Sequence, residues 1–413
     1  MKLPISQKVV GNRLIQTISL AELLRLVGRS GVWVFIPLYL LAVKDASYIE
    51  IGILFLLSAV ASIPISIFGG NLIDKIGRRK IALTVPPVLA LLFLLIFLGI
   101  HFSLSTLFIT VPFVLFAPGA VLQSIVDSVI VTDSTDEMDR IDAFSMTRIG
   151  ANVGFSLGPA IAGFAVTYNY SILPLIPLIL EIFGFFLYFK YINYNEGPHQ
   201  EGKKLLSFPR KDKRFIIVSL LVSIAWFSVG PWAYILPQFF SRVDLIQYSV
   251  IGILFAANGL SVVILQLPVN RLFYKFNDMT KITIGLIIYA ATFAFFGIIR
   301  NEILLLINVI FLTIGENAMS PASNSIIGKI APPEKRGEYY GGFSLLNNFM
   351  SPFSPLFYEA MLAYLFRDPV LLWLIIGIIC LILAVSIMAT KKLWITQEST
   401  SSPIADPPGG RTG

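Results

Sequence analysis

Charged residues, cysteine and histidine are all scarce in this 413-residue chain. Asp, Glu, Lys and Arg together make up 13% of the residues, whereas a soluble domain carries about 25%. The single cysteine, Cys380, excludes a disulfide within one chain and a metal site held by several cysteines. The two histidines, His101 and His199, are too few for the clustered acid–base groups of a membrane enzyme. We therefore expect no catalytic residues, no cofactor and no metal site.

Hydrophobic residues, by contrast, make up 56% of the chain, and the mean hydropathy is +0.80. They form runs of about 20 residues or more, the length that an α-helix needs to cross a bilayer core. The runs are too long and alternate too weakly for barrel strands, so they predict helices. Twelve predicted membrane-spanning helices follow: 14–43, 47–70, 80–101, 104–131, 141–168, 170–191, 215–241, 246–270, 281–300, 302–330, 338–365 and 369–391.

The formal net charge of +7 is unevenly distributed along the chain. Most lysines and arginines fall in alternate connections between the predicted helices and in the two terminal segments. The other connections hold four: Lys44, Arg242, Arg300 and Arg367. Under the positive-inside rule this asymmetry predicts that both termini are cytoplasmic. The basic balance therefore indicates membrane topology and does not indicate a nucleic-acid partner.

The chain repeats itself at a spacing of about 200 residues. The run IGILF at 51–55 recurs at 251–255, and Gly-x-Trp at 31–33 recurs at 230–232. A constant offset in separate regions predicts two six-helix bundles. We place them at 1–192 and 215–392, with a polar cytoplasmic linker at 193–214 and a disordered cytoplasmic tail, rich in Ser, Pro and Gly, at 393–413.

A compact polar motif separates the second and third predicted helices, where residues 70–80 read GNLIDKIGRRK. Its glycines allow a close helix approach and a tight turn. Its acid can accept hydrogen bonds from a helix N-terminus, and its basic residues anchor the loop at the cytoplasmic surface. The residues expected to act in gating are Gly70, Asp74, Gly77, Arg78 and Arg79.

This spacing resembles the loop that marks the major facilitator superfamily, a family of secondary transporters built from two six-helix halves. The resemblance implies alternating access about a substrate site between the halves, near the midplane. It also implies that Asp74 contacts the start of the eleventh helix in the outward-facing state. In the second half, Asn270, Tyr274 and Asn277 replace the corresponding Gly, Asp and Gly, so the resemblance does not extend to a matching contact there.

Small residues recur at every fourth position in the fifth segment, a pattern that allows close helix packing. The residues are Gly154, Gly158, Pro159 and Gly163. The run resembles the fifth-helix motif of drug/proton antiporters and so implies export, although it also suits generic helix packing. The fourth segment has Leu115 where such antiporters carry an arginine, so their mechanism does not carry over unchanged.

Two charges near the middle of predicted helices require either a function or a partner, because a charge at the bilayer centre costs about 2.5–3.5 kcal/mol. They are Arg29 in the first segment and Glu316 in the tenth. Each is predicted either to bind substrate or protons or to form a structural ion pair, with each other as one alternative. The candidate substrate and proton residues are Arg29, Trp33, Trp232, Glu316 and Asn317. The two tryptophans could instead simply pack.

Other intramembrane charges are assigned structural positions. Glu22 and Arg25 share one helix face and are predicted to pair. Asp127 and Arg148 lie at similar depth and are also predicted to pair. Glu359, near the outer end of its helix, is expected to be solvated.

These features predict a multi-pass transporter of the cell membrane that moves a small organic molecule. We expect a monomer that exports its substrate in exchange for protons. The alternatives are proton-coupled uptake of a specific metabolite and a transport-inactive membrane sensor. A phosphate-binding glycine-rich loop ending in Lys-Ser/Thr is absent, which argues against an ATP-driven pump.

Overall fold

The computed structural model of the protein describes residues 6–136, 138–192, 208–332 and 335–390. All regular elements in these ranges are helices. The predicted linker residues 193–207 and the predicted tail lie outside the described residues.

The first seven helices are α1 (Gln7–Val10), α2 (Arg13–Val43), α3 (Tyr48–Ile76), α4 (Arg78–His101), α5 (Leu107–Asp133), α6 (Arg140–Tyr168) and α7 (Ile172–Tyr191). They are followed by α8 (Lys213–Val229), a 3₁₀ turn (Gly230–Trp232), α9 (Ile235–Arg242), α10 (Tyr248–Leu272), α11 (Asp278–Phe296), α12 (Glu302–Ile330), α13 (Arg336–Met350), α14 (Phe353–Leu365) and α15 (Pro369–Ala389). Helices α2–α7 are called the first half and α8–α15 the second half.

Eleven segments in the described part of the chain are long and apolar enough to cross a membrane, with Lys213–Arg242 counted as one. They correspond to eleven of the predicted segments, and the all-α membrane fold is confirmed. The twelfth, 338–365, is divided into α13 and α14 at Ser351 and Pro352. Proline has no N–H group and interrupts the helical hydrogen bonds there. The count of twelve spans and the cytoplasmic position of the termini stay predictions.

The connections between helices fall at two ends of the bundle. One end, called the basic end, carries the connections α3–α4, α5–α6, α10–α11 and α12–α13. The other, called the opposite end, carries α2–α3, α4–α5, α6–α7, α9–α10, α11–α12 and α14–α15. The arginine-rich motif at 78–80 begins α4 at the basic end.

Helix α6 lies against α2 with almost no side-chain volume between them. A Cβ atom at Gly154 would lie 3.0 Å from Leu26 Cβ, and one at Gly158 would lie 3.0 Å from the Leu26 carbonyl oxygen. Nearer the opposite end, a Cβ at Gly163 would lie 2.5 Å from the carbonyl oxygen of Tyr248 on α10. The predicted close packing of this glycine motif is thereby confirmed.

The other face of α6 packs on α10, which belongs to the second half. Gly252 on α10 lies against the carbonyl of Pro159, and a Cβ at Gly259 would lie 2.6 Å from Ser156 Cβ. The Ser156 hydroxyl donates a hydrogen bond of 2.9 Å to the carbonyl of Ala256. Helix α6 therefore joins the two halves by direct contact with the backbone on both sides.

The two halves also meet at the opposite end, where α3 packs on α14. A Cβ at Gly52 would lie 2.9 Å from Leu356 Cα, and the rings of Phe55 and Tyr234 are 5.1 Å apart. Toward the basic end, α13 packs on α8 and α12, and a cavity of about 260 Å³ separates it from α3 and α5. The predicted segment 338–365 thus contacts α3 through α14 at the opposite end, whereas its other part, α13, is separated from α3 by the cavity toward the basic end.

We expect Gly158→Ala to lower the free energy of unfolding by about 1–3 kcal/mol, the usual cost of overpacking. The added methyl group would overlap the Ser30 hydroxyl and the Val27 carbonyl oxygen, and the carbonyl cannot rotate away. Unfolding in mixed detergent micelles measures the change. Gly184→Ala on α7 is the control, because no heavy atom outside its own helix lies within 4 Å of the new Cβ. Equal stability of the two variants would contradict the prediction.

Candidate substrate pathway and intramembrane charges

A buried charge network ties three helices of the first half together. Arg25 is 1% exposed, and it donates hydrogen bonds to Glu22 Oε2 at 2.7 Å, to Tyr188 Oη at 2.9 Å and to Asp127 Oδ2. Asp127 Oδ1 also accepts from Tyr188 at 2.8 Å and from Gln123 at 3.0 Å. One guanidinium on α2 therefore serves a carboxylate on its own helix and another on α5.

A cavity of about 250 Å³ between α2, α5 and α6 lies beside this network. Its polar lining consists of Glu22, Ser124, Asp127, Ser128, Thr147 and Arg148. The cavity therefore offers both an acidic and a basic group to a molecule that enters it.

The predicted pair of Glu22 with Arg25 is confirmed, and that of Asp127 with Arg148 is wrong. Asp127 instead pairs with Arg25, whose side chain crosses from α2 to α5. Arg148 is exposed and lines the cavity. Similar depth in the membrane did not predict this pair, because two side chains meet only if their helices turn them toward each other.

Arg29 forms an ion pair with Glu181 on α7. Its Nη2 lies 2.6 Å from Glu181 Oε1, and its Nε donates to the same oxygen at 2.7 Å. Glu181 is fully buried. The helices approach closely at this level, since a Cβ at Gly28 would lie 2.6 Å from Pro177 Cα. The ion-pair alternative for Arg29 is the one that the structure shows, and its partner is Glu181 rather than Glu316.

Glu316 lies half-buried on α12 and faces α10. Its Oε2 accepts a hydrogen bond of 2.9 Å from Asn258 Nδ2, which also donates to Thr313 Oγ1 at 3.0 Å. The neighbouring Asn317 is buried and donates to the Val262 carbonyl on α10 at 3.4 Å. Among the described residues no cation lies within ion-pair distance of Glu316.

The two candidate tryptophans lie in aromatic clusters of different halves. Trp33 is half-buried and stacks on Phe113 at 5.7 Å, with Phe55 at 4.9 Å. Trp232 is buried and stacks on Phe255 at 4.8 Å. Packing thus accounts for the observed neighbours of both rings.

The gating motif begins α4 and ties it to two other helices at the basic end. Gly77 has φ of 103°, a conformation that a side chain would resist, so the predicted turn is confirmed. Arg78 Nε lies 2.8 Å from Asp133 Oδ2 at the end of α5. Arg79 donates a hydrogen bond of 2.9 Å to the Ile192 carbonyl after α7.

Asp74 is exposed at the basic end, and Gly70 is placed differently from the prediction. The Asp74 side chain is 48% exposed, and its Oδ1 lies 3.8 Å from Arg78. In the described residues no hydrogen bond or ion pair joins it to the start of α13, and the contact implied for the outward-facing state stays a prediction. A Cβ at Gly70 would meet no atom within 4 Å, whereas one at Gly69 would lie 2.9 Å from Ile125. The close helix approach is thus made by Gly69, and its prediction at Gly70 is wrong.

Asp278 forms an ion pair at the basic end of the second half that the sequence analysis missed. Its Oδ2 lies 2.9 Å from Lys329 Nζ and accepts a hydrogen bond of 2.8 Å from Ser325 on α12. The residue follows Asn277, which caps α11 through a bond with the Thr280 N–H. An acid directly after the altered motif was the available signal.

Glu359 is fully buried, so the prediction that it is solvated is wrong. It lies on α14 where that helix packs on α3, and it accepts a hydrogen bond from Gln238 on α9. The position near a helix end did suggest water contact, but the packing of α3 on α14 covers it.

Comparison with known proteins shows the same family over most of the chain. The sequence model of the Major Facilitator Superfamily matches residues 18–355 and 244–409. The uncharacterized MFS-type transporter YqjV of Bacillus subtilis (strain 168) is 25% identical over 332 residues, which cover 77% of this chain and 79% of that protein. A Na(+), Li(+), K(+)/H(+) antiporter of Planococcus maritimus is 23% identical over 339 residues, which cover 71% of this chain and 77% of the antiporter.

The fold is also shared with solved transporters. The crystal structure of the peptide transporter POT in complex with sulfate has a TM-score of 0.77 at 15% identity, over 92% of this chain and 95% of that one. The family resemblance drawn from residues 70–80 is thereby confirmed. The chain belongs to the major facilitator superfamily, and it is a membrane transporter rather than an enzyme.

Proposed function

We propose that this protein is a proton-coupled exporter of small organic molecules that works by alternating access in the cell membrane. The observation that carries the proposal is the asymmetric contact between the halves. Helices α3 and α14 are in contact at the opposite end, while a cavity of about 260 Å³ lies between α3, α5 and α13 toward the basic end. With the basic end in the cytoplasm, this arrangement is the inward-facing state of an alternating-access cycle, in which an exporter would load its substrate and an importer would release it.

Proton coupling is supported by the surroundings of Glu316. In a low-dielectric site an acid with a neutral amide as its described partner has no fixed positive charge to hold it ionised, so protonation can change its charge state. The relative from Planococcus maritimus is named as a cation/proton antiporter, which favours exchange for protons over uptake. We propose Glu316 as the coupling residue and a monomer as the working unit, because the pathway lies within one chain.

Export predicts that an efflux-deficient bacterial host becomes more tolerant of toxic compounds when it expresses the chain. Tolerance is to be measured across cationic, neutral and anionic compounds. Glu316→Gln, which cannot release a proton, is expected to abolish the gain. Glu302→Gln is the control and is expected to retain the gain, because Glu302 is an exposed glutamate at the start of the same helix.

If no compound is better tolerated although the protein is in the membrane, export is contradicted. The assay to follow is uptake of candidate metabolites into proteoliposomes under an imposed pH gradient. Accumulation driven by that gradient would indicate symport. Absence of any transport would favour the transport-inactive sensor, the remaining alternative.

The gating motif predicts a shift in the equilibrium between inward-facing and outward-facing states. Spin labels at Ser66→Cys and Asn348→Cys, both exposed beside the cavity at the basic end, report its width. Asp74→Asn is expected to reduce the population of the outward-facing state, in which the basic end is closed, about 10-fold. The reason is that a hydrogen bond to a charged group contributes about 1.5–3 kcal/mol. Cys380 is buried and does not compete for the label.

The control for this experiment is Asp45→Asn, which alters an exposed acid at the opposite end. Its positive φ of 53° suits asparagine equally well. An Asp74→Asn distance distribution identical to that of the parent would refute the proposed contact with the start of α13.

A further inference from the structure

The carboxyl group of Glu359 lies inside the contact that closes the opposite end. The residue is 0% exposed, and it faces the glycine on α3 that permits this contact. A Cβ added at Gly52 would lie 3.2 Å from Glu359 Cβ and 2.9 Å from Leu356 Cα. Separation of α3 from α14 would therefore remove part of the packing that buries this residue.

Glu359 and its partner Gln238 each have one oxygen that accepts no hydrogen bond among the described residues. Gln238 on α9 donates through Nε2 to Glu359 Oε1 and, at 3.1 Å, to the Tyr234 carbonyl. Glu359 Oε2 and Gln238 Oε1 are both buried and have no partner among the described residues. Two acceptors on one pair of side chains thus lack a donor.

One proton supplies that donor. A protonated carboxyl carries one O–H donor beside its carbonyl oxygen, and an amide carries N–H donors beside its own oxygen. A proton on Glu359 Oε2 can therefore bond to Gln238 Oε1 while the existing N–H···O bond is kept. Without the proton, a carboxylate would be buried with an unpaired oxygen, which is costly.

No positive charge in the described part of the chain replaces the proton. The titratable groups near this end, on Glu359's own helix and on the elements packed against it, are Tyr48 and Glu50 on α3, Tyr234 just before α9, Arg242 at the end of α9, Tyr358 and the exposed Tyr364 on α14, and Cys380 on α15. Glu50 is bonded to Ser47, while Tyr358 and Cys380 donate to the Ser228 carbonyl. Arg242 makes no ion pair with Glu359 in that part of the chain.

We infer that Glu359 is a proton-binding site that seals the opposite end, separate from the coupling site at Glu316. A proton enters from the water on the opposite side when that end is open, and its binding allows the carboxyl to be buried against Gln238 and Gly52. Opening exposes the carboxyl and releases the proton to the same side. The inference rests on the alternating access of the proposed function, but not on the direction of transport or on the substrate.

The test uses the full chain in lipid nanodiscs with spin labels at Ile49→Cys and Tyr364→Cys, both exposed at the opposite end. In the parent protein the distance between labels is expected to lengthen as the pH rises, because loss of the proton favours the open state. Glu359→Gln is expected to stay closed at every pH, since its amide is neutral and provides a donor. Glu302→Gln is the matched control and is expected to respond like the parent.

A pH response in Glu359→Gln equal to that of the parent would overturn the inference. If this variant does not fold, infrared spectroscopy of Glu316→Gln at neutral pH replaces it. The C=O band of a protonated carboxyl, shifted in D₂O, is expected to persist there, and its absence would overturn the inference.

The two proposals fail separately. If no export is found but the label distance at the opposite end responds to pH through Glu359, only the proposed function is rejected. Normal export with no Glu359-dependent response would reject only the proton-binding site.

Discussion

The bilayer core offers no water to a charged side chain, and this constraint governs how the polar residues of the structure are arranged. Arg25 and Arg29 are both buried in the first half, and each meets a carboxylate from another helix. Asp127 pairs with Arg25 and Glu181 with Arg29. Removing one partner of a buried pair costs about 3–5 kcal/mol, because the other remains as an uncompensated charge. These pairs therefore fix α5 and α7 against α2.

Two acids in the second half, both away from the basic end, meet a different environment. Glu316 and Glu359 receive hydrogen bonds from the amides of Asn258 and Gln238, with no arginine or lysine paired to them in the described residues. A guanidinium holds a carboxylate in one charge state, whereas an amide can bond to both the ionised and the protonated form. Under the proposed coupling, the paired charges of Arg25 and Arg29 are fixed, and Glu316 and Glu359 are the groups that respond to protons.

Features that depend on neighbouring residues were predictable from the sequence. The turn at Gly77 and the packing face of α6 follow from spacings of a few residues, and the apolar runs give the membrane-spanning helices. Partners on distant helices were not predictable in this way. Asp127 and Arg148 lie at similar depth, but Asp127 pairs with Arg25 because α2 turns the Arg25 side chain toward α5. The burial of Glu359 likewise depends on the packing of α14 against α3, which no local pattern encodes.

Alternating access requires that one contact between the halves be kept while others open. In this structure the contact of α6 with α10 differs in kind from the contact of α3 with α14. Along α6 and α10 the backbones meet directly, through Gly163, Gly252 and Gly259. Contacts made this closely by glycines have few side-chain atoms that could adjust, so separating these helices would lose the packing. The contact of α3 with α14 is tight at Gly52 and ends where the cavity toward the basic end begins. A rocking motion about α6 and α10 would open or close α3 against α14, and Glu359 is buried in that contact.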